Sequence, residues 1–325
     1  MRLLITGGAG FIGSNACEFF KHLNWSVTAI DNLGTSSNVN HIYEIATYVN
    51  SPNGFLSFDV VELRNQPEVD FFIDNHTFDY VLHLAAESHV DRSLQDSSPF
   101  WDTQVRGTYN LFNALSNLPS SRQPKCIINQ ITDEVYGEVE PGQHGAVEGQ
   151  VFNPRPPYAC SKAAQYFVGK SFSTTGKLPI ISTFPVNNFG PRQAPEKIIP
   201  KFITMLLNNQ KVPLMASTHF ERDWLTVSDM CRAFHILFLF GTIEEDYNVG
   251  ADNHRTNLQL TKEILALLDK DESYIEIVPD RTTHDSRYAV NSNKLRQLGW
   301  APRENFTDWL EYTISWYKER QNNGI

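Results

Sequence analysis

Short apolar runs punctuate the first half of the chain at residues 3–6, 27–30, 55–58, 80–83 and 126–130. Each is four or five residues long, mostly Leu, Ile, Val and Phe, which suits a buried strand rather than a helix. Between them, residues 11–22, 69–75 and 99–115 repeat apolar positions at helical spacing. Strands alternating with helices predict an α/β fold, a doubly wound parallel sheet with right-handed crossovers. A helix from about 158 to 173 and a strand at 178–183 continue the series.

Beyond residue 184 the pattern loosens. Residues 185–227 are rich in Pro and Asn, followed by a helical run at 227–239, a short strand at 247–250 and helices at 258–268 and 305–318. This predicts a first domain over 1–184, with segments near 228–250 returning to it. A smaller C-terminal α/β lobe takes up most of 185–325. The chain has no internal repeat and no low-complexity segment.

The first strand runs into Gly7-Gly8-Ala9-Gly10-Phe11-Ile12-Gly13, which opens the first helix. Glycines let the chain turn tightly and let a pyrophosphate approach the helix N-terminus, where free N–H groups and the dipole favour anions. A glycine cluster alone is weak; its place between a strand and an apolar-periodic helix makes it a Rossmann-like dinucleotide site. Asp31 ends the second strand, where a carboxylate accepts from ribose hydroxyls and repels a 2′-phosphate. Asn32, Leu33 and Gly34 follow without Arg or Lys, favouring NAD over NADP. Asp59, near the end of the third strand, reads equally as an adenine contact or a helix cap.

Tyr158 and Lys162 stand four residues apart, so a helix carries both on one face. An ammonium beside a phenol lowers the phenol's pKa and makes it a base. Tyr166 and Lys170 repeat the spacing. Tyr158 is preferred because it follows Pro154, Pro156 and Pro157 at the expected helix start, whereas Tyr166 reads as a packing residue. Thr132-Asp133-Glu134 follows the fifth strand. Two adjacent carboxyls push their pKa values apart, leaving one as an acid and one as a base; an acidic surface turn is the competing reading.

Composition adds exclusions. The 325 residues are 41% hydrophobic and 20% charged, as in an ordinary globular protein. A net charge of −10 without a run of Lys or Arg argues against a nucleic-acid partner. Cys17, Cys126, Cys160 and Cys231 are scattered, which predicts neither a metal site nor disulfides. The first residues read as a strand rather than a secretion signal, and no apolar run is long enough for a membrane span. The expected compartment is the cytoplasm.

With these motifs the chain resembles the extended short-chain dehydrogenase/reductases, and among them the nucleotide-sugar 4,6-dehydratases of the dTDP-glucose 4,6-dehydratase type. The matching stretches run from 6–15, 83–93, 132–137 and 157–163 through 187–191, 195–200 and 222–225 to 247–250 and 280–288. The Asp133-Glu134 pair points to a dehydratase, because a 4-epimerase needs only a hydride out and back. The resemblance implies a tightly bound NAD regenerated each cycle, an NDP-hexose substrate (dTDP- or UDP-glucose) and a hydro-lyase reaction serving deoxysugar biosynthesis. In it Tyr158, with Thr132 and Lys162, takes the O4 proton, Glu134 removes the C5 proton and Asp133 protonates O6.

The resemblance also implies further cofactor contacts at Gly7, Gly10, Phe11, Ile12 and Gly13, at Asp31 and Asn32, at Asp59 and Val60, and at Leu84, Ala85 and Ala86. For the nucleotide diphosphate it implies Arg222 and Asn257, joined by Arg281 and His284. Asn187, Asn188 and the Glu196-Lys197 pair would line the diphosphate and base pocket, with Ser88 and Asp91 toward the hexose or the cofactor loop. Arg222 also reads as a surface ion pair with Asp223, and His284 as a structural histidine. A homodimer through the helices near 99–115 and 158–173 is implied, although Phe100, Leu111, Phe112, Leu115, Phe167 and Val168 could equally face the core. Ile131, Val186, Phe189, Gln104 and the 219–221 segment depart from the family's usual residues. Two rival readings stay open: a 4-epimerase or decarboxylase of the same superfamily, and a non-catalytic NAD-binding scaffold.

Overall fold

The computed structural model describes residues 1–48, 54–140, 142–280 and 285–322. Its strands are β1 (Arg2–Thr6), β2 (Ser26–Asp31), β3 (Phe55–Val60), β4 (Tyr80–His83), β5 (Cys126–Gln130) and β6 (Ile180–Pro185), then β7 (Asn187–Phe189), β8 (Val212–Met215), β9 (Glu221–Thr226), β10 (Asp246–Val249), β11 (His254–Thr256) and β12 (Ile275–Val278). Seven form one parallel sheet in the order β10-β6-β5-β4-β1-β2-β3. The chain leaves β1 for β2 on one side and later reaches β4 on the other, so the sheet's switch point lies beyond the ends of β1 and β4. Open α/β sheets bind ligands at that crevice.

Apolar side chains cover both faces of the sheet. On one, Phe20, Trp25, Phe234 and Phe238 from the Phe11–His22 and Val227–Phe240 helices and the loop before β2 form an aromatic cluster. On the other, Val69, Phe72, Phe112, Leu115 and Phe172 pack on Leu4, Val81 and Ile127. A third core, with Phe189, Phe202, Trp224, Leu260, Phe306 and Leu310, fills the second lobe, which carries the small sheets β11-β9-β7 and β12-β8. β10 and the Val227–Phe240 helix follow the second lobe's first segments yet pack with β6 and the Phe11–His22 helix.

The 99–115 region is not one regular helix. It is a helix at Ser98–Trp101, a π-helical turn at Asp102–Gly107 and a helix at Thr108–Ser116. Phe100, Leu111, Phe112 and Leu115 face the core, while Trp101 and Tyr109, like Phe167 on the Pro157–Ser173 helix, are exposed. The pattern of apolar residues does not announce the Ile198–Leu207 helix, because Pro200 interrupts the run. That proline occupies the first turn, where its missing N–H costs nothing.

Candidate active site

A cavity of about 650 Å³ opens over the carboxyl ends of the sheet and continues beneath the second lobe. Its cofactor-sized end is built by the glycine turn. Gly7 has φ +69°, and a Cβ there would lie 2.9 Å from the Ala85 backbone; at Gly13 it would lie 2.0 Å from the Gly7 carbonyl oxygen. No side chain caps the Phe11–His22 helix and no acid stands in its first turn, so its N-terminal N–H groups are left for an anion. Asp31 is buried, accepting from Ala9 N (3.1 Å), Leu33 N (2.8 Å) and Ser37 Oγ (2.7 Å). Glu62 and Glu87 line the same end. This cradle and its acidic rim fit NAD and oppose a 2′-phosphate.

The floor beside the turn is fixed through Thr6. Its hydroxyl oxygen accepts from Leu84 N (3.2 Å) and Ala85 N (3.1 Å) and meets His83 Nδ1 at 2.8 Å, while His83 Nε2 meets Thr108 Oγ1 at 2.9 Å. Burial holds the imidazole neutral, pushed down to about 3. Gln104, in the π-helical turn, donates to Glu87 O (2.9 Å) and Ser161 Oγ (3.2 Å) and accepts from Glu87 N (3.2 Å). It ties the floor loop to the helix that carries Tyr158.

Thr132, Asp133, Glu134, Tyr158 and Lys162 all line the cavity. Thr132 precedes a short 3₁₀ turn, Asp133–Tyr136, which bends the chain so that both acids leave the end of β5 together. Thr132 Oγ1 donates to Asp133 Oδ1 at 3.3 Å and accepts from Glu134 N at 3.4 Å. Asp133 is 3% exposed. Burial and then the Glu134 charge raise its carboxyl well above the usual range, against a smaller pull from Arg222. Such a shift favours the protonated carboxyl, the form a general acid requires.

Burial, the Glu134 charge and a smaller push from Asp133 also raise the Tyr158 phenol, with its hydrogen bond to Thr132 opposing them. The lowering expected from Lys162 is absent. Its ammonium is drawn to Gln130 O and Gln165 Oε1, each at 2.8 Å, and burial pushes it down to about 7. Tyr166 donates to Asp246 and packs on Phe152 and Phe184, a structural place.

From the second lobe, Arg222 donates to the carbonyls of Glu221 (2.7 Å), Ser286 (3.2 Å) and Asp285 (2.9 Å) and lies 4.5 Å from the Tyr288 ring centroid. It is buried and faces the cavity, not paired with Asp223, whose carboxylate accepts from the amides of Ala251, Asp252 and Asn253. Asn187, Asn188 and Asn257 line the cavity nearby. Lys197 donates to Ser88 O (2.6 Å), and Glu196 reaches Ser36 (3.5 Å) and Arg92 (3.8 Å), joining the second lobe to the cofactor loops.

Gly7, Gly10, Phe11, Ile12, Gly13, Asp31, Asn32, Leu84, Ala85 and Ala86 likewise line the cavity, with Ser88, Glu196 and Lys197. Asp59 and Val60 do not: both are exposed, and the strand instead delivers Val61, Glu62 and Leu63 to the cavity. Backbone pairing continues one residue beyond Val60, through Val61 N to Asp31 O (3.0 Å), so the sheet edge falls two residues past Asp59. Arg281 and His284 lie outside the described residues. The sequence reading also missed Glu87, Phe202, Pro213–Met215, Trp224 and Tyr288 on the cavity wall.

A model of the family GDP-mannose 4,6 dehydratase matches residues 4–313. The chain is 37% identical over 318 residues to the low-salt glycan biosynthesis protein Agl12 of Haloferax volcanii, covering 98% of each chain. It is 36% identical over 342 residues to a dTDP-glucose 4,6-dehydratase of Neisseria gonorrhoeae, covering 99% of this chain and 97% of that one. The crystal structure of DesIV, a dTDP-glucose 4,6-dehydratase from Streptomyces venezuelae with NAD and TYD bound, superposes with a TM-score of 0.90 at 33% identity, over 99% of this chain and 98% of DesIV. The chain therefore belongs to the GDP-mannose 4,6 dehydratase family, as an NAD-dependent extended short-chain dehydrogenase/reductase of the nucleotide-sugar 4,6-dehydratase class.

Proposed function

We propose that this hydro-lyase acts on dTDP- or UDP-glucose, giving the 4-keto-6-deoxyhexose nucleotide and water. The observation that carries the reading is the pairing of a buried Asp133, whose carboxyl is raised well above its usual range, with Glu134 beside Tyr158. The 4-ketone made by oxidation at C4 acidifies C5–H, and Glu134 accepts that proton. Asp133 donates its proton to O6, and the C6–O bond breaks as water leaves. NAD would be held by the glycine turn of residues 7–13 and by Asp31, and would supply reversible hydride acceptance and a positively charged ring; C5 regains a proton from Glu134 as C6 is reduced. Tyr158, hydrogen-bonded to Thr132, accepts the O4 proton; burial and the Glu134 charge keep it protonated otherwise, so its ionisation depends on nearby cations, of which Lys162 is the chain's own. Arg222 and Asn257 hold the diphosphate, with Arg281 and His284 assigned there by resemblance. A guanidinium already anchored by three carbonyls presents its remaining N–H groups to an anion with little loss of entropy.

The apolar, outward Trp101, Tyr109 and Phe167 support a homodimer through the helices of 98–116 and Pro157–Ser173. Four free cysteines are in keeping with the cytoplasm, and no helix among the described residues is long and apolar enough to cross a membrane. Incubation with dTDP-glucose, UDP-glucose and other hexose nucleotides, followed by mass spectrometry, tests the substrate. One of the two glucose nucleotides loses water; an isomer of unchanged mass, or a pentose nucleotide, would establish an epimerase or decarboxylase instead.

A further inference from the structure

Lys162 is a buried cation whose ammonium donates to two neutral oxygens, Gln130 O and Gln165 Oε1. Gln165 is wholly buried, one turn beyond Lys162 on the Pro157–Ser173 helix and on the same stripe. Its amide nitrogen donates to Asn129 Oδ1 (2.7 Å) and to Gln130 O (3.3 Å). The amide's orientation does not depend on how its atoms are assigned. An ammonium only donates and a backbone carbonyl only accepts, so the oxygen must face Lys162 and the nitrogen Gln130. Two of the three ammonium N–H bonds are thereby spoken for, and the third is left for the cavity that Lys162 lines.

We propose that Gln165 is the positioning residue of the catalytic helix: it holds the Lys162 ammonium in place and keeps it charged. The inference rests on the reading above only in giving Lys162 a part in the reaction. Burial drives the Lys162 ammonium down to about 7, and among the described residues no carboxylate opposes it. Its protonation therefore depends on the neutral acceptors. The ionisable groups on the surrounding elements are Tyr158 on the same helix, His83 at the end of β4, and Asp133 and Glu134 after β5. Asp91 and Arg92 stand on the helix Val90–Gln95, and Asp102 and Arg106 pair with each other in the π-helical turn. His83 is held neutral by burial, so the ammonium faces no competing cation from β4.

The test titrates Lys162 in the NAD-loaded protein carrying ¹³C-labelled lysine, independently of turnover, beside the pH profile of kcat. Gln165→Leu removes the acceptor, so the Lys162 midpoint falls by about one unit. The protonated fraction above the midpoint then drops about tenfold, and the alkaline limb of kcat moves down with it. Gln165→Glu keeps the shape and adds a negative charge, so the midpoint and the limb move up. Asn129 accommodates the carboxylate by turning toward it its amide nitrogen, which has no partner among the described residues. Midpoints unmoved in both variants, or moved in the same direction, overturn the proposal. Gln165→Glu decides alone if Gln165→Leu fails to fold. Should the wild-type protein dehydrate no hexose nucleotide, the proposed function fails while the titration still judges Gln165.

Discussion

Replacing Asp133 by Asn separates chemistry from stability. The side chain keeps its shape and its place against Thr132, but it can no longer deliver a proton to O6. General acid catalysis contributes about 10²–10⁴-fold, so kcat should fall by that factor, about 3–5 kcal/mol in the barrier. Stability should move the other way. The folded state raises the Asp133 pKa, so above the unfolded carboxyl's pKa the folded protein binds more protons than the unfolded one. Stability then falls with rising pH, by about 1.4 kcal/mol per unit, until the folded carboxyl ionises. Asn carries no such penalty, so the variant's Tm between about pH 6 and 8 should equal or exceed the wild type's. The assay follows the alkali-induced absorbance of the 4-keto-6-deoxy product beside a thermal melt and, in D₂O, exchange of the C5 proton. Exchange should persist, because Glu134 is intact, while C6–O cleavage stops. A kcat within about threefold of wild type, or a lowered Tm with C5 exchange abolished, would refute the assignment of Asp133 as the acid.

Glu134→Gln should show the complementary defect: C4 oxidation proceeds, C5 exchange in D₂O is lost, and product formation falls about 10²–10⁴-fold. Gly13→Ala puts a methyl group 2.0 Å from the Gly7 carbonyl oxygen, within the phosphate turn. The purified variant should carry less NAD than wild type by absorbance after acid release, with a lowered Tm; an unchanged NAD content would contradict the cradle. Phe167→Glu places a charge on the outward apolar face of the Pro157–Ser173 helix. Light scattering should report a dimer for the wild type and a monomer for the variant, and equal masses for the two would contradict an interface on this face.

Much of this architecture was legible because each element answers to one local rule. The Phe11–His22 helix begins directly after Gly10, and β4 and β5 are built on the short apolar runs Val81-Leu82 and Cys126-Ile127-Ile128. The placing of Tyr158 and Lys162 on one helix face, both lining the cavity, was legible from their four-residue spacing. Glu62 was not, because β2–β3 pairing outlasts the apolar run and moves the sheet edge past Asp59. Pro200 hid a helix by sitting where helices tolerate proline. Arg222 beside Asp223 looks like a surface ion pair until the fold gives each its own backbone partners. Nothing in the order of residues singles out Gln165; the part proposed for it follows from a buried ammonium that has no counter-ion among the described residues. Nor did spacing foretell that Lys162 turns toward Gln130 and Gln165, which leaves the phenol's pKa to burial and the two acids.

In the proposed reaction hydride leaves C4 and returns to C6 around an elimination driven by Glu134 and Asp133. A glucose nucleotide carrying deuterium at C4 examines this directly. Mass spectrometry and NMR of the product should find the deuterium on C6 of a 4-keto-6-deoxyhexose, with a solvent-derived hydrogen at C5. Deuterium recovered at C4 of an epimer, or a sugar with its C6 hydroxyl intact, would contradict it.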